Sequence, residues 1–382
     1  MRIAIVDPLG YTTPYDDRLA SALGERGHDV HLLTSPFLLD QAPAPNGYVR
    51  EELFIPWSSR LLRRAPRARL RRLVKGAEYL PSVGRLLRRI DVLAPDVVHV
   101  QWLSRPELDV RWVRRVARVR PTILTAHNAT VRMRSRAREA WREALTLADR
   151  VVVHSSQAIE RLEEFGIDRS KVVRIPHAVF DAPTQAAADL PAAPNLLFFG
   201  LIRHYKGLDL LVEALPEIKR RVPEARLVVA GDPLDPIAPI QKLAESLGVS
   251  GNIDWQLGFV PDAQVARLFA DAAVVVLPYR AIESSGVLAL ALGRGRPAVV
   301  ADVGGIGELV REFGAGRVVP AEDPAALAAA CAELLSDAHA LRAAYEGALA
   351  ARSALNWEEA ARAHEAMYSE LVHSRAARSA AS

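Results

Sequence analysis

A single cysteine, Cys331, among 382 residues leaves no internal disulfide and no cysteine-ligated metal site, and it suits a reducing compartment. Apolar runs are short, and none approaches the roughly 18 residues that a membrane-spanning helix requires. The opening MRIAIVDPLG is interrupted by Asp7 and Pro8 too early for a secretory leader, so it reads as a buried first strand of a cytoplasmic chain. Several signatures are also missing. The chain has no GxGxxG, no Walker GxxxxGK with a following Ser or Thr, no GxSxG and no HExxH. These absences remove the main marks of a nicotinamide-binding domain, a P-loop nucleotidase, an α/β-hydrolase and a zinc protease. No Asp-x-Asp stands in a suitable loop, so no metal and no cofactor are expected.

Half of the residues are hydrophobic and a quarter are charged, the balance of a folded chain. At roughly 150 residues per domain the length suggests two domains. Charge divides in the same way. Residues 1–180 hold 31 Lys and Arg against 20 Asp and Glu, a net of +11, and the remainder carries −7.

Apolar, β-branched runs at Ile3–Val6, Val30–Leu33, Val97–Val100, Ile123–Thr125 and Val151–Val153 alternate with helix-like stretches such as Asp16–Arg26, Arg111–Arg118 and Ala137–Leu147. Strands that are apolar on both faces, separated by helices, imply a parallel sheet covered on both sides. The alternation restarts at Leu196–Phe199 and runs to Ala298–Ala301. Between the halves, Asp181–Pro194 is rich in Ala and Pro and reads as a linker. The closing NWEEAARAHEAMYSELV has amphipathic helical spacing, and HSRAARSAAS after it is expected to fray. The expected α/β architecture is therefore two doubly wound, Rossmann-like domains facing across a cleft. Its parts are residues 1–180, a linker 181–194, residues 195–356, and a helix and tail 357–382. Ligands of open α/β sheets bind at the carboxyl ends of strands, so chemistry is sought in the loops that follow them.

FFGLIRHYKG follows the first strand of the second half. Arg203 and Lys206 there, at the start of a helix, suit a diphosphate by charge and by backbone N–H donation. After strand Val274–Leu277 come Glu283, Ser284, Ser285 and Gly286, small residues that admit a phosphate at a helix start, beside an acid better suited to sugar hydroxyls. A serine cap with a solvated glutamate is the plainer alternative. His127 stands after strand Ile123–Thr125, where a histidine can donate to a substrate hydroxyl or stabilise charge. His99, inside its strand, reads as core. Gly10 permits a tight loop after the first strand, and with Tyr11 it marks the acceptor side. The Arg-rich RLLRRAPRARLRRLVKG, Arg60 to Gly76, is compatible with an anionic membrane surface and equally with a solvated face. No motif for specific nucleic-acid recognition accompanies the charge.

These segments in this order resemble the family 4 retaining glycosyltransferases with the GT-B fold. The resemblance covers nearly the whole chain: DVVHVQW, TAHN, VVVHSS, VVRIPHAV, FFGLIRHYKG, NIDWQLGFVP, ESSGVLALALGRGRPAVVADVGG and the NWEEA helix, which in such proteins crosses back to the first domain. It implies a nucleotide-sugar donor held by the second domain and an acceptor (a glycan, a lipid-linked acceptor or a small metabolite) held by the first. It implies that Arg203 and Lys206 stabilise the departing diphosphate, that Ser285, Gly286 and Val287 give it backbone donors, and that Glu283 contacts the donor sugar. His127 matches the histidine beside the transferred sugar, Gly200 ends the strand before the basic loop, and Gly258 and Val260 lie where the base is met. In the mechanism proposed for such enzymes a donor phosphate oxygen assists acceptor deprotonation. Two positions depart from the pattern. Ala291 stands where a second acid often grips the ribose, and Leu201 stands where an arginine often follows the glycine, Arg203 being offset as in the FFG-x-IR-x-YKG form. A nucleotide-sugar epimerase, or a non-catalytic sugar-nucleotide or polyanion-binding protein, are the competing classes. The first would alter donor without an acceptor, and the second would turn nothing over.

Overall fold

The computed structural model describes residues 1–36, 44–56, 69–128, 134–180 and 190–380. Most of the expected linker 181–194, and the side chains of the basic segment from 60 through 75, lie outside these residues.

The chain forms two compact units. The first contains residues 1–154, 158–176 and 357–382; the second contains 155–157 and 177–356. In the first, seven parallel strands follow the order β3-β2-β1-β4-β5-β6-β7. They are β1 Arg2–Asp7, β2 Asp29–Thr34, β3 Val49–Glu52, β4 Val97–Val100, β5 Thr122–Thr125, β6 Arg150–Val153 and β7 Val172–Arg174. The second has six parallel strands in the order β10-β9-β8-β11-β12-β13. These are β8 Asn195–Phe199, β9 Arg226–Gly231, β10 Ile253–Leu257, β11 Val274–Leu277, β12 Ala298–Ala301 and β13 Gly316–Val319. In each sheet the order reverses beside its first strand, so the crevices for ligands open beyond β1 and β4 and beyond β8 and β11.

Burial explains why these segments are strands. Ile3, Ala4, Ile5 and Val6 of β1 are all fully buried, which only a strand covered on both faces allows. In β8 the period of two is visible: Leu196 and Phe198 enter one apolar cluster, and Leu197 enters another on the opposite face. His99 is core, as expected, with its Nδ1 2.6 Å from the Tyr368 hydroxyl and its Nε2 2.7 Å from Thr125 Oγ1. Burial keeps that ring far below the usual histidine range, hence neutral.

Helix starts follow local chemistry. Thr13–Glu25 and Pro106–Val119 open with proline in the first turn, where a missing N–H costs nothing. Asp323 caps Pro324–Ser336 by accepting from Ala326 N–H at 2.9 Å.

The last helix, Trp357–Ala380, belongs to the first unit. Trp357 packs its ring 5.1 Å from Tyr15, and Arg26 pairs with Glu365. Trp357, Met367, Tyr368 and Leu371 are all buried, and each such side chain contributes about 1.5–3 kcal/mol. The helix continues past the point where fraying was expected, because Arg375 donates to the Arg118 carbonyl at 2.6 Å and ties its end to the helix Pro106–Val119. Among the described residues no helix is long and apolar enough to cross a membrane.

Candidate functional site

In the second unit three glycines line up across the carboxyl ends of adjacent strands. Gly200, Gly231 and Gly258 follow or end β8, β9 and β10, with φ of +98°, +146° and +121°, values that side chains rarely adopt. They touch directly. Gly258 N–H donates to the Gly231 carbonyl at 2.9 Å, and a methyl group on Gly231 would fall 1.9 Å from the Gly200 oxygen. The result is a ledge of bare backbone. Gly200 and Gly258 were legible from the sequence, but Gly231 was not singled out.

Lys206 rises beside this ledge from a one-turn helix, His204–Lys206. Its Nζ lies 3.1 Å from where a Gly200 methyl would sit, and Val287 Cγ2 lies 3.4 Å from the same point. Gly200, Lys206 and Val287 therefore converge, as the sequence suggested. The ammonium hangs 5.4 Å from the centre of the buried Tyr279 ring, and among the described residues it makes no hydrogen bond or ion pair. Burial, with a smaller push from the Arg203 charge, brings its pKa down to about 8. Arg203 is exposed, and its guanidinium has no carboxylate partner among the described residues. A buried cation and a free one, set next to backbone N–H groups, are arranged for an anion.

Beyond β11 the loop turns into the helix Gly286–Gly293. Ser285 is its N-cap, with its hydroxyl accepting from Leu288 N–H at 3.3 Å, so the plainer reading of that side chain holds. Removing the cap in Ser285→Ala should cost about 1 kcal/mol of stability, read as a denaturation midpoint shift, with donor turnover changed far less than by loss of a cation. Glu283 is buried, and its carbonyl accepts from Gly305 N–H at 2.8 Å. Gly304 lets that strap pass, since a methyl there would meet the Ile282 oxygen at 1.8 Å. Ser284 is half-buried between them. Val260 packs partly buried against the apolar cluster below, and nothing lies within 4 Å of a methyl on Gly258. Ala291 is fully buried in that cluster, so the second acid of the family pattern has no counterpart here.

Arg280 was not found by sequence reasoning, because an arginine outside a motif carries no local signal. It ties the two loops together. Its guanidinium grips Asp209 through both carboxylate oxygens at 2.9 and 2.8 Å, donates to the His204 carbonyl at 2.8 Å and reaches Glu322 at 3.0 Å. Its own N–H donates to the Tyr205 carbonyl at 2.7 Å. The turn that carries Lys206 is thus held by the loop that carries Glu283.

In the first unit, His127 follows β5 and is buried, stacked on Trp102 at 5.4 Å with planes 11° apart. Tyr11, well exposed, meets the other side of Trp102 edge-on at 5.6 Å. Tyr11 and His127 are thereby brought together through Trp102, a residue that sequence reasoning left unassigned. Gly10 adopts φ +62° in a loop folded around Asp7, whose carboxylate accepts from the N–H groups of Gly10 and Thr12 at 3.1 Å each. Asp16 is buried beside Asp7; burial first, then the neighbouring Asp7 charge, holds it well above the usual carboxylate range. His154 accompanies His127, with Nε2 to Nδ1 at 3.2 Å. Among the described residues no group of three His, Cys, Asp or Glu side chains is placed to hold a metal ion.

The class defined by this fold and these loops is the glycosyltransferases. Residues 193–337 match the model for glycosyl transferases group 1, and residues 17–181 match that for Glycosyltransferase Family 4. A D-inositol 3-phosphate glycosyltransferase from Geodermatophilus obscurus is 32% identical over 74% of this chain and 68% of that one. Another of the same name, from Nocardia farcinica, is 28% identical over 90% and 81%. In fold, a sucrose-phosphate synthase from Thermosynechococcus elongatus superposes with a TM-score of 0.73, at 19% identity, over 98% of this chain and 100% of that one. The chain belongs to glycosyltransferase family 4, the retaining, nucleotide-sugar-dependent enzymes with the GT-B fold.

Proposed function

We propose that the second unit binds the diphosphate of the nucleotide-sugar on the glycine ledge, with Lys206 and Arg203 as its cations and the N–H groups of Gly286 and Val287 as its donors. The observation that carries this is the Lys206 ammonium, buried over Tyr279 with no anion among the described residues to neutralise it. Charge develops on the leaving diphosphate as the bond to the anomeric carbon breaks. Preorganised donors aimed at that charge are worth a few kcal/mol each. Glu283, at the same loop, takes the sugar hydroxyls, His127 stands beside the transferred sugar, and Gly10 and Tyr11 serve the acceptor side. The nucleoside lies over Gly258 and Val260, where the backbone is open. No carboxylate is assigned as a nucleophile; the acceptor proton passes to a phosphate oxygen of the donor.

For the acceptor we infer a polyol that carries an anionic group, free or lipid-linked. The +11 net charge of residues 1–180 supports this, as does the name shared by the two relatives above. The same basic charge suits a cytoplasmic protein that sits peripherally at an anionic membrane.

The test is thermal stabilisation by UDP-, GDP-, ADP- and dTDP-sugars and their free diphosphates. A ligand at a hundred times its Kd raises folded-state stability by about 2.7 kcal/mol. One nucleotide should raise the melting temperature clearly, and Arg203→Ala should remove the rise. A panel with no shift, or an Arg203→Ala protein that responds like the parent, overturns the donor assignment.

A further inference from the structure

We propose that His154, His127 and Gln101 form a directional hydrogen-bond relay in which His154 fixes the tautomer of His127 and Gln101 turns its amide over to serve either protonation state of that ring. Its bearing on turnover rests on the reading that places His127 beside the transferred sugar. The relay itself does not.

The direction follows from one end. His154 Nδ1 is 2.9 Å from the Ile175 carbonyl oxygen, which can only accept, so Nδ1 carries a proton. In the neutral ring Nε2 is then bare and accepts. Its partner at 3.2 Å is His127 Nδ1, which must donate. His127 therefore keeps its Nδ1 proton, and Nε2 becomes the nitrogen that gains or loses one.

That nitrogen faces Gln101, 3.0 Å from Oε1, while Gln101 Nε2 is buried without a hydrogen-bond partner among the described residues. The oxygen-facing orientation suits a protonated Nε2. Turned by half a revolution, the amide presents N–H to a bare Nε2 instead. A carboxylate at this position would favour only the imidazolium, and an apolar side chain would serve neither form. Glutamine serves both.

The surroundings tolerate either charge state. Trp102 lies flat against His127, and Tyr15 meets it edge to face at 5.1 Å and His154 at 5.6 Å, so a cation there is met by aromatic rings. The titratable groups facing the pair include Tyr15, from the helix Thr13–Glu25, and His99 from β4, which is itself packed against His364 of the last helix. Burial keeps the Tyr15 phenol and the His99 ring neutral. Asp16, next to Tyr15, is held well above the usual carboxylate range by burial and by Asp7.

Nitrogen-15 spectra of the full chain labelled in histidine, followed through and above the ordinary histidine range near about 6.5, read the relay directly. At high pH, His127 and His154 should both show a protonated Nδ1 and a bare Nε2, the minor form of free histidine. His127 with its proton on Nε2 would overturn the relay, and this measurement needs no variant. In His154→Phe, which keeps an aromatic ring against Tyr15, His127 should revert to the Nε2 proton. In Gln101→Glu, its titration should move up by about one pH unit or more. An unmoved titration overturns the role of the amide. If the titration moves and the pH profile of turnover does not, the relay stands and the placement of His127 beside the sugar falls.

Discussion

Lys206→Met is expected to reduce turnover by about 10²–10³-fold while the melting temperature holds or rises. The loss follows from position. Lys206 is the buried cation beside Gly200 and Val287, and no described side chain replaces it once it is gone. The unchanged or improved stability follows from the same burial. Held down to about 8 by desolvation, the ammonium costs folding energy at neutral pH, and methionine fills similar space without that cost. The pH dependence has a definite sign. A lysine whose folded pKa is lowered burdens the folded state fully below about 8, and the burden fades as pH climbs toward the unfolded value near about 10.4. The parent should therefore gain stability relative to Lys206→Met across that window. Diphosphate affinity should move oppositely, falling up to tenfold per pH unit above about 8, because only the cation binds the anion. Denaturation midpoints and diphosphate titrations on both proteins at matched pH decide it. A parent and a variant with parallel affinity profiles would remove Lys206 from the donor site.

Gly207→Ala is expected to destabilise the second unit by about 3–5 kcal/mol and to abolish donor binding with it. Gly207 has φ +66°, and a methyl group there would fall 2.0 Å from the Pro278 oxygen. That oxygen belongs to the loop leading to Tyr279 and Arg280, so the clash would part the two loops that Arg280 holds together. Gly248→Ala separates backbone strain from collision. Gly248 has φ +67°, nearly the same, yet nothing lies within 4 Å of its methyl, so about 1 kcal/mol is the expected cost there. Chemical denaturation of the two variants side by side gives the comparison. Equal losses would mean that strain alone acts at Gly207.

The strands that were legible in the sequence are those buried on both faces. β1, β5 and β6 read as short, mainly apolar runs, and β4 as one broken only by the core His99, because burial demands it. Of the four edges only β10 read as a strand, from the run Ile253–Gln256. β3, VREE, is held by charged side chains, Arg50 to Asp17 and Arg89 to Glu51, and an edge strand needs no apolar run. β7 and β13 are edges too, of three and four residues. The site divided along similar lines. Residues in the loops after strands stood out by type and place, as Lys206 and His127 did. Partners that act by long-range packing had no local pattern: Arg280 grips Asp209 across 71 positions, and Trp102 and His154 reach His127 only once the sheet has formed. Ala291, where the family pattern often has a second acid, is fully buried in the apolar cluster under the helix Gly286–Gly293.

The last helix gives the protein an order of assembly during synthesis. Domains tend to fold in the order in which they leave the ribosome. Here the residues that cover Tyr15 and hydrogen-bond His99 are among the last to be made. Residues 177–356 are complete before Trp357 is translated, whereas the amino-terminal sheet must wait with that face bare. The half that begins first finishes last, and a chain truncated after Asn356 would hold every residue of the second unit while leaving the Tyr15 face of the first exposed.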